Sequence, residues 1–171
     1  MSNLAPINIP EFAGLRYNTD GEKSFMLKSD IAGETFRSGF SCSQAVFTAF
    51  VNDDGFDREA AFKLSQAMGG GMAHLGFTCG AVTGAFLAIG LRHGRSRAED
   101  LAAKEKTYAV MTEFARRFKA RHGDDLSCPG LIGCDLGTPA GLREADEKNL
   151  FQTRCAAFVR DAAEILEDLL K

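Results

Sequence analysis

Three of the five cysteines in the sequence directly follow a serine or a threonine. The pairs are Ser41-Cys42, Thr78-Cys79 and Ser127-Cys128. Serine and threonine are favoured N-cap residues, because the side-chain oxygen accepts a hydrogen bond from a free amide of the first helical turn. A cysteine beside such a cap lies at the positive end of the helix dipole, which favours the thiolate over the thiol. The sequence therefore predicts thiolates at helix starts, and thiolates bind metals or attack disulfides.

The other two cysteines stand in different contexts. Cys155 lies near the start of the last helical pattern, so it can join the same kind of site, whereas Cys134 follows Gly133 in an irregular stretch. The first residues show no basic region followed by an apolar one, so we expect no secretory signal. Five cysteines without such a signal are typical of a reducing compartment, where metal ligands and catalytic thiols are commoner than disulfides. We therefore expect a cytoplasmic protein.

Composition and charge narrow the function classes. The chain has 171 residues, of which 45% are hydrophobic and 25% charged, as is usual for one globular domain. Its net charge of −3 argues against a nucleic-acid or anionic-membrane surface. The most apolar stretch, 81–91, is shorter than the roughly 20 residues that span a bilayer, so we expect no membrane insertion.

Hydrophobic periodicity predicts an all-α fold, a single-domain bundle of about five to six helices with an N-terminal arm. We assign the arm to residues 1–24 and the helical domain to residues 25–171. Apolar positions recur at helical spacing over 25–37, 41–51, 57–68, 78–93, 96–122 and from 149 onward. No run of alternating apolar residues is long enough to predict a strand.

Cap residues and glycines predict where these helices begin and end. Ser41 with Gln44 and Ser96 with Glu99 have the form of capping boxes, and we expect further caps at Asp57, Thr78 and Asn149. A triple glycine at 69–71 should end one helix, and residues 142–148 suggest a short turn. Gly80 and Gly84 lie four residues apart, a spacing that lets another helix backbone approach closely.

The residues around the cysteines resemble those of a known family. The matching segments are Gly39-Phe40-Ser41-Cys42-Ser43-Gln44-Ala45-Val46, Gly69-Gly70-Gly71-Met72, Thr78-Cys79-Gly80-Ala81-Val82-Thr83-Gly84-Ala85, Leu131-Ile132-Gly133-Cys134-Asp135-Leu136 with Cys128 before it, and Cys155 with Ala162-Ala163-Glu164-Ile165-Leu166. Over roughly residues 25–170 the chain resembles the small, helical, four-cysteine redox-active proteins named for a C_GCAxxG_C_C signature. A related domain occurs in split-Soret cytochromes c. The order here is Cys-Gly-Ala, where the written signature has Gly-Cys-Ala.

The resemblance implies a redox function or an iron–sulfur cluster. It implies that Cys42, Cys79, Cys128 and Cys155 form the site, with Cys134 as the alternative to Cys128 in the third position. The related split-Soret domain implies a homodimer, and we expect an apolar face of the 96–122 helix, with Phe114 and Phe118, in its interface. The sequence contains no Cys-x-x-Cys-His, so we expect no covalently attached haem.

Three hypotheses remain open from the sequence. The first is an iron–sulfur protein for electron transfer or redox sensing, with a redox partner protein. The second is a metal-free thiol–disulfide oxidoreductase, and the third is a structural zinc domain that serves as an interaction module. His74 is either an additional or replacement ligand, a proton donor, or a surface histidine. Each cysteine on its own could equally be a buried apolar residue.

Overall fold

The computed structural model describes residues 15–17 and 23–171, and the fold is all-α, as predicted. The helices are α1 Lys28–Arg37, α2 Cys42–Thr48, α3 Arg58–Gln66, α4 Gly69–Ala73, α5 Gly80–His93, α6 Leu101–His122, α7 Cys128–Ile132, α8 Pro139–Glu147 and α9 Ala156–Leu169. A 3-10 turn covers Val51–Asp54, and a π-helical segment covers Phe151–Cys155. The described residues hold more helical segments than the five to six predicted, because single turns such as α4 and α7 are too short to show periodicity.

Two short strands, which the sequence analysis did not predict, precede the helices. Strands β1 Leu15–Tyr17 and β2 Lys23–Phe25 pair antiparallel, with Leu15 opposite Phe25. Three residues are too few for an alternating pattern to be recognised. The rest of the predicted arm, residues 1–14 and 18–22, lies outside the described residues, so the assignment of an arm and a domain stays a prediction.

Helix α2 is the central element of the fold. It packs against α1, α3, α5 and α9, and its residues from Ser43 to Thr48 are all buried. The polar residues among them have partners inside the protein. The Ser43 hydroxyl donates a hydrogen bond to the Ser65 carbonyl at 2.6 Å, and the Gln44 side-chain amide donates one to the Phe62 carbonyl at 2.9 Å. These bonds fix the start of α2 against α3, since a buried polar group without a partner is costly.

The caps of α2, α3 and α7 agree with the sequence analysis. At α2, the Ser41 hydroxyl accepts a hydrogen bond from the Gln44 amide, and the Gln44 side chain accepts one from the Ser41 amide, which completes the predicted capping box. Asp57 caps α3, and the Ser127 hydroxyl accepts a hydrogen bond from the third residue of α7 at 3.2 Å.

The predicted start of α6 at Ser96 is wrong. The helix begins at Leu101, and the Asp100 carboxylate accepts a hydrogen bond from the Ala103 amide at 3.0 Å. Aspartate is as good an N-cap as serine. The pattern Ser96 to Glu99 matched a capping box without forming one.

The expected caps at Thr78 and Asn149 are also wrong. Cys79 itself is the N-cap residue of α5, while Thr78 forms an isolated bridge with Ser127. Asn149 has φ +52° and precedes the π-helical segment that leads into α9. The suggested turn at 142–148 falls at the end of α8, which begins at Pro139 after the cap residue Thr138 and ends at Glu147.

The phenylalanines of α6 lie in the interior of the domain. Phe114 and Phe118 are fully buried and stack with ring centroids 5.9 Å apart. Phe118 also lies 6.2 Å from Phe158 of α9. The expectation that they form an interface is therefore wrong, because both rings already pack within the chain.

The α5 backbone approaches α2 closely at its glycines. A β-carbon at Gly84 would lie 2.6 Å from the Ser43 carbonyl oxygen and 3.1 Å from the Val46 β-carbon. At Gly80 it would lie 3.0 Å from the Cys42 β-carbon. The small-residue face predicted from the sequence therefore packs directly on α2.

Gly84→Ala should destabilise the domain, because a methyl group here forces α5 away from α2. We expect a loss of about 1–3 kcal/mol in the free energy of unfolding, as for other overpacked cores. Chemical denaturation measures it.

Gly90→Ala in the same helix is the matched control. A methyl group at Gly90 would meet no other element of the described residues within 4 Å, so the substitution should stabilise the domain by about 0.4–1 kcal/mol. If the two variants unfold at the same denaturant concentration, the close approach of α5 to α2 is not energetically important.

Candidate functional site

One cavity of about 150 Å³ lies where α2, α5, α7 and the π-helical segment meet. Four cysteines line it, and apolar side chains form much of the remaining wall. The cysteines are Cys42, Cys79, Cys128 and Cys155. The structure thus brings to one cavity the same four cysteines that the sequence analysis selected. Their role as ligands remains a prediction.

Backbone hydrogen bonds hold Cys79 beside Cys128. The Cys79 amide donates to the Leu126 carbonyl, and the Cys128 amide donates to the Phe77 carbonyl, both at 2.8 Å. These bonds join the start of α5 to the start of α7. Backbone hydrogen bonds therefore hold together two cysteines that are far apart in the sequence.

The segment that carries Cys155 is a π-helical turn. Such turns are rare and often occur at functional sites. Next to Cys155, the Arg154 guanidinium donates hydrogen bonds to the carbonyls of Leu131 and Ile132, at 3.4 and 3.2 Å. Arg154 thereby ties this segment to the last turn of α7. The sequence carries no signal for this contact or for the π-helical geometry, and both were missed.

The triple glycine lies beside the cavity, which Gly70 lines, and each of its residues packs on a different neighbour. A β-carbon at Gly69 would lie 2.5 Å from the Ser41 β-carbon, and one at Gly71 would lie 2.6 Å from the Cys128 β-carbon. At Gly70 it would meet the His74 imidazole at 2.5 Å. The predicted break after α3 is therefore also a cradle that only glycine can form.

From Gly70 onward the backbone of α4 is left-handed, so this segment is a left-handed turn and not a regular helix. Gly70, Gly71, Met72, Ala73 and His74 all have φ between 57° and 74°. For residues with a side chain this conformation costs roughly 1–2 kcal/mol each, and such strain gathers at functional sites. The left-handed backbone places His74 at the cavity wall, while the other side of the His74 side chain stays exposed to solvent.

Burial is the largest influence on the pKa values of Cys79 and Cys128, and it raises both. It raises the pKa of Cys79 to about 11, against the opposing effect of the Ala81 and Val82 amides directed at its sulfur. No regular cap hydrogen bond forms there. Burial, and then the neighbouring Cys79 and Cys155, raise the pKa of Cys128 to about 12. The expectation that helix starts lower these pKa values is wrong, because removal of water from the thiolate outweighs the helix dipole.

The acidities of Cys42 and Cys155 depend on each other, because the Cys42 thiol can donate a hydrogen bond to the Cys155 thiolate. The bond from Cys42 lowers the pKa of Cys155, although burial opposes this shift. The same bond, followed by burial, raises the pKa of Cys42 well above its usual value. Cys155 is therefore the member of the pair that ionises first, and Cys42 is the donor that stabilises it.

Cys134 is buried but does not line the cavity. It packs with Cys128, Cys155 and Leu136, which do line the cavity, in a second apolar cluster of the protein. Burial raises its pKa, with a further contribution from Glu144. Of the two candidates for the third position, Cys128 is the one at the cavity.

Two features are absent from the part of the chain that the structure describes. Within 15–17 and 23–171, no group of three or more His, Cys, Asp or Glu side chains is arranged to hold a single metal ion. Among the helices described, none is long and apolar enough to cross a membrane.

Comparison with known proteins assigns the chain to a family. The profile of the family described as putative redox-active protein (C_GCAxxG_C_C) matches residues 40–169, which include all five cysteines. No curated protein and no solved structure matches the chain. With the match covering most of its length, the chain belongs to the C_GCAxxG_C_C family of redox-active proteins.

Proposed function

We propose that the protein binds an iron–sulfur cluster through Cys42, Cys79, Cys128 and Cys155, and that the cluster serves electron transfer or redox sensing. The observation that carries the proposal is the single cavity that all four side chains line. Four cysteine thiolates are the usual ligand set of both common cluster types. A redox partner protein would then receive or supply the electron.

The surroundings of the four cysteines fit such a group. Phe36, Phe151, Phe158 and Ile132 contribute apolar walls, and apolar surroundings influence the reduction potential of a metal site. The amides of Ala81 and Val82 are directed at the Cys79 sulfur, and hydrogen bonds to sulfur tune the potential of a cluster. At the glycine cradle the backbone approaches Ser41 and Cys128 so closely that any side chain would clash with them.

The thiol pKa values give the site a direction of pH dependence. Metal-ligating cysteines must lose their protons. At neutral pH Cys79 and Cys128 hold theirs in the metal-free protein, since their pKa values lie near 11 and 12. Binding a metal group therefore releases protons, and its apparent affinity should rise with pH.

Anaerobic reconstitution with iron and sulfide tests the proposal. The wild-type protein should gain visible absorption, with iron and sulfide in similar amounts. Cys79→Ser should lose most of both, because it removes a cavity thiol.

Cys134→Ser is the matched control for this measurement. It replaces a buried thiol outside the cavity, so it should load iron and sulfide like the wild type. Zinc without sulfide in the protein as purified would support the structural zinc module instead. Equal loading by Cys79→Ser and Cys134→Ser would exclude the proposed ligand set.

The Cys42–Cys155 pair favours a second candidate function, metal-free thiol–disulfide exchange. In such a reaction one cysteine of lowered pKa attacks a disulfide, and a second cysteine resolves the mixed disulfide. Cys155 has the lowered pKa, and Cys42, whose thiol influences that pKa, would act as the resolving thiol.

The pH dependence of alkylation tests the pair in the reduced, metal-free protein. Cys155 should react at lower pH than Cys42, because its thiolate is stabilised by the Cys42 donor. Cys42→Ala removes that donor and should move the Cys155 midpoint to higher pH. Cys42→Ser keeps a hydroxyl donor and should stay closer to the wild type. A Cys155 midpoint that is the same in all three proteins would show that the hydrogen bond does not control its acidity.

We also propose that the domain is a homodimer, as the family resemblance implies. With Phe114 and Phe118 buried, the large apolar side chains exposed on α6 are Leu101 and Tyr108, which are 59% and 60% exposed. Two-fold pairing is the commonest oligomer symmetry.

Sedimentation velocity over a range of concentrations tests the dimer. Tyr108→Glu should shift the wild-type dimer towards monomer. Leu64→Glu is the control, since Leu64 is similarly exposed, at 59%, but lies on α3. A wild-type protein that sediments as a monomer at every concentration would rule the dimer out.

A further inference from the structure

A second space lies on the outer side of the left-handed turn. It is an open cleft of about 430 Å³ between the end of α3 and the turn itself, and Gln66, Ala67 and Ala73 form its outer edge. Its volume lies within the range of about 300–1,000 Å³ that is usual for small-molecule sites. Its edge residues are exposed, so solvent reaches it directly.

The cleft and the cysteine cavity share a wall. Ser41, Gly70 and His74 line both spaces. The His74 imidazole lies against Gly70, where a β-carbon would come within 2.5 Å of it. One imidazole, one glycine and one serine therefore separate the open cleft from the cavity that Cys42 and Cys79 line.

The chemistry of the cleft is polar and uncharged. Ser41, Gln66 and His74 supply hydrogen-bond donors and acceptors. Among the described lining residues there is no lysine, arginine, aspartate or glutamate. Such a surface suits a neutral molecule with hydrogen-bonding groups better than a charged one, because it offers no fixed charge to replace lost hydration.

We propose that the cleft is a binding site for small, uncharged, hydrogen-bonding molecules, and that it is the route by which they reach the cysteine cavity past His74. This inference rests on the proposed function in that the molecule would be a reactant of the cysteine site.

Alkylation of the reduced, metal-free full-length chain by iodoacetamide tests the route. Gln66 lines the cleft but not the cavity, and its side chain is exposed at the end of α3. Gln66→Trp should therefore fill the cleft without disturbing the core, and Cys42 and Cys79 should react several-fold more slowly. His74→Ala should make both react faster, because it thins the shared wall.

Two controls separate access from general changes in stability. Lys63→Trp places the same side chain at an exposed position of α3 that lines neither space, so rates should equal those of the wild type. Cys134 lies outside the cavity and serves as an internal reference, whose rate should be unchanged in every variant. Iodoacetate, the anionic counterpart, should lose more rate at Cys42 than at Cys134.

Wild-type rates at Cys42 and Cys79 in Gln66→Trp would overturn the inference. So would a slowing that Lys63→Trp reproduces, or iodoacetate that is no more disfavoured at Cys42 than at Cys134. The measurement uses protein without metal, so its result is independent of whether a cluster binds. If reconstitution fails but alkylation still depends on Gln66, the proposal of a cluster is rejected and the proposal of the cleft stands.

Discussion

The close contact between the backbones of α2 and α5 determines the geometry of the site. Gly84 lies against the Ser43 carbonyl, and Gly80 lies against Cys42, with no room for a side chain at either position. Cys42 begins α2 and Cys79 precedes the first residue of α5, so the distance between the two helices also sets the distance between the two thiols. Packing of this kind leaves little freedom, since protein interiors are as dense as organic crystals.

The thiols show how burial and local dipoles compete. A helix start favours the thiolate by a modest amount, whereas loss of water disfavours it strongly, and at Cys79 and Cys128 the second effect is larger. Only Cys155, which accepts a hydrogen bond from Cys42, has a lowered pKa among the cavity cysteines. A metal group would change this balance, because its positive charge replaces the protons.

The left-handed turn connects the interior of the site with its surface. Its glycines allow contact with Ser41 and Cys128, and the strained residues that follow place His74 between the cavity and the outer cleft. A relaxed helical backbone would direct this segment elsewhere. Packing around the segment offsets the free-energy cost of this strain, as is common where a fold positions a functional residue.

The sequence by itself determined the helical class, the cap at Ser41 and the cap at Ser127, because these depend on periodicity and on neighbours within one turn. The start of α6 was misjudged, since two caps of similar strength, Ser96 and Asp100, stood close together in the sequence. Only the tertiary structure decided that Cys128 rather than Cys134 lines the cavity, and that burial rather than the helix dipole sets thiol acidity. Both depend on contacts between distant segments, and the position of such contacts is not encoded in any local pattern.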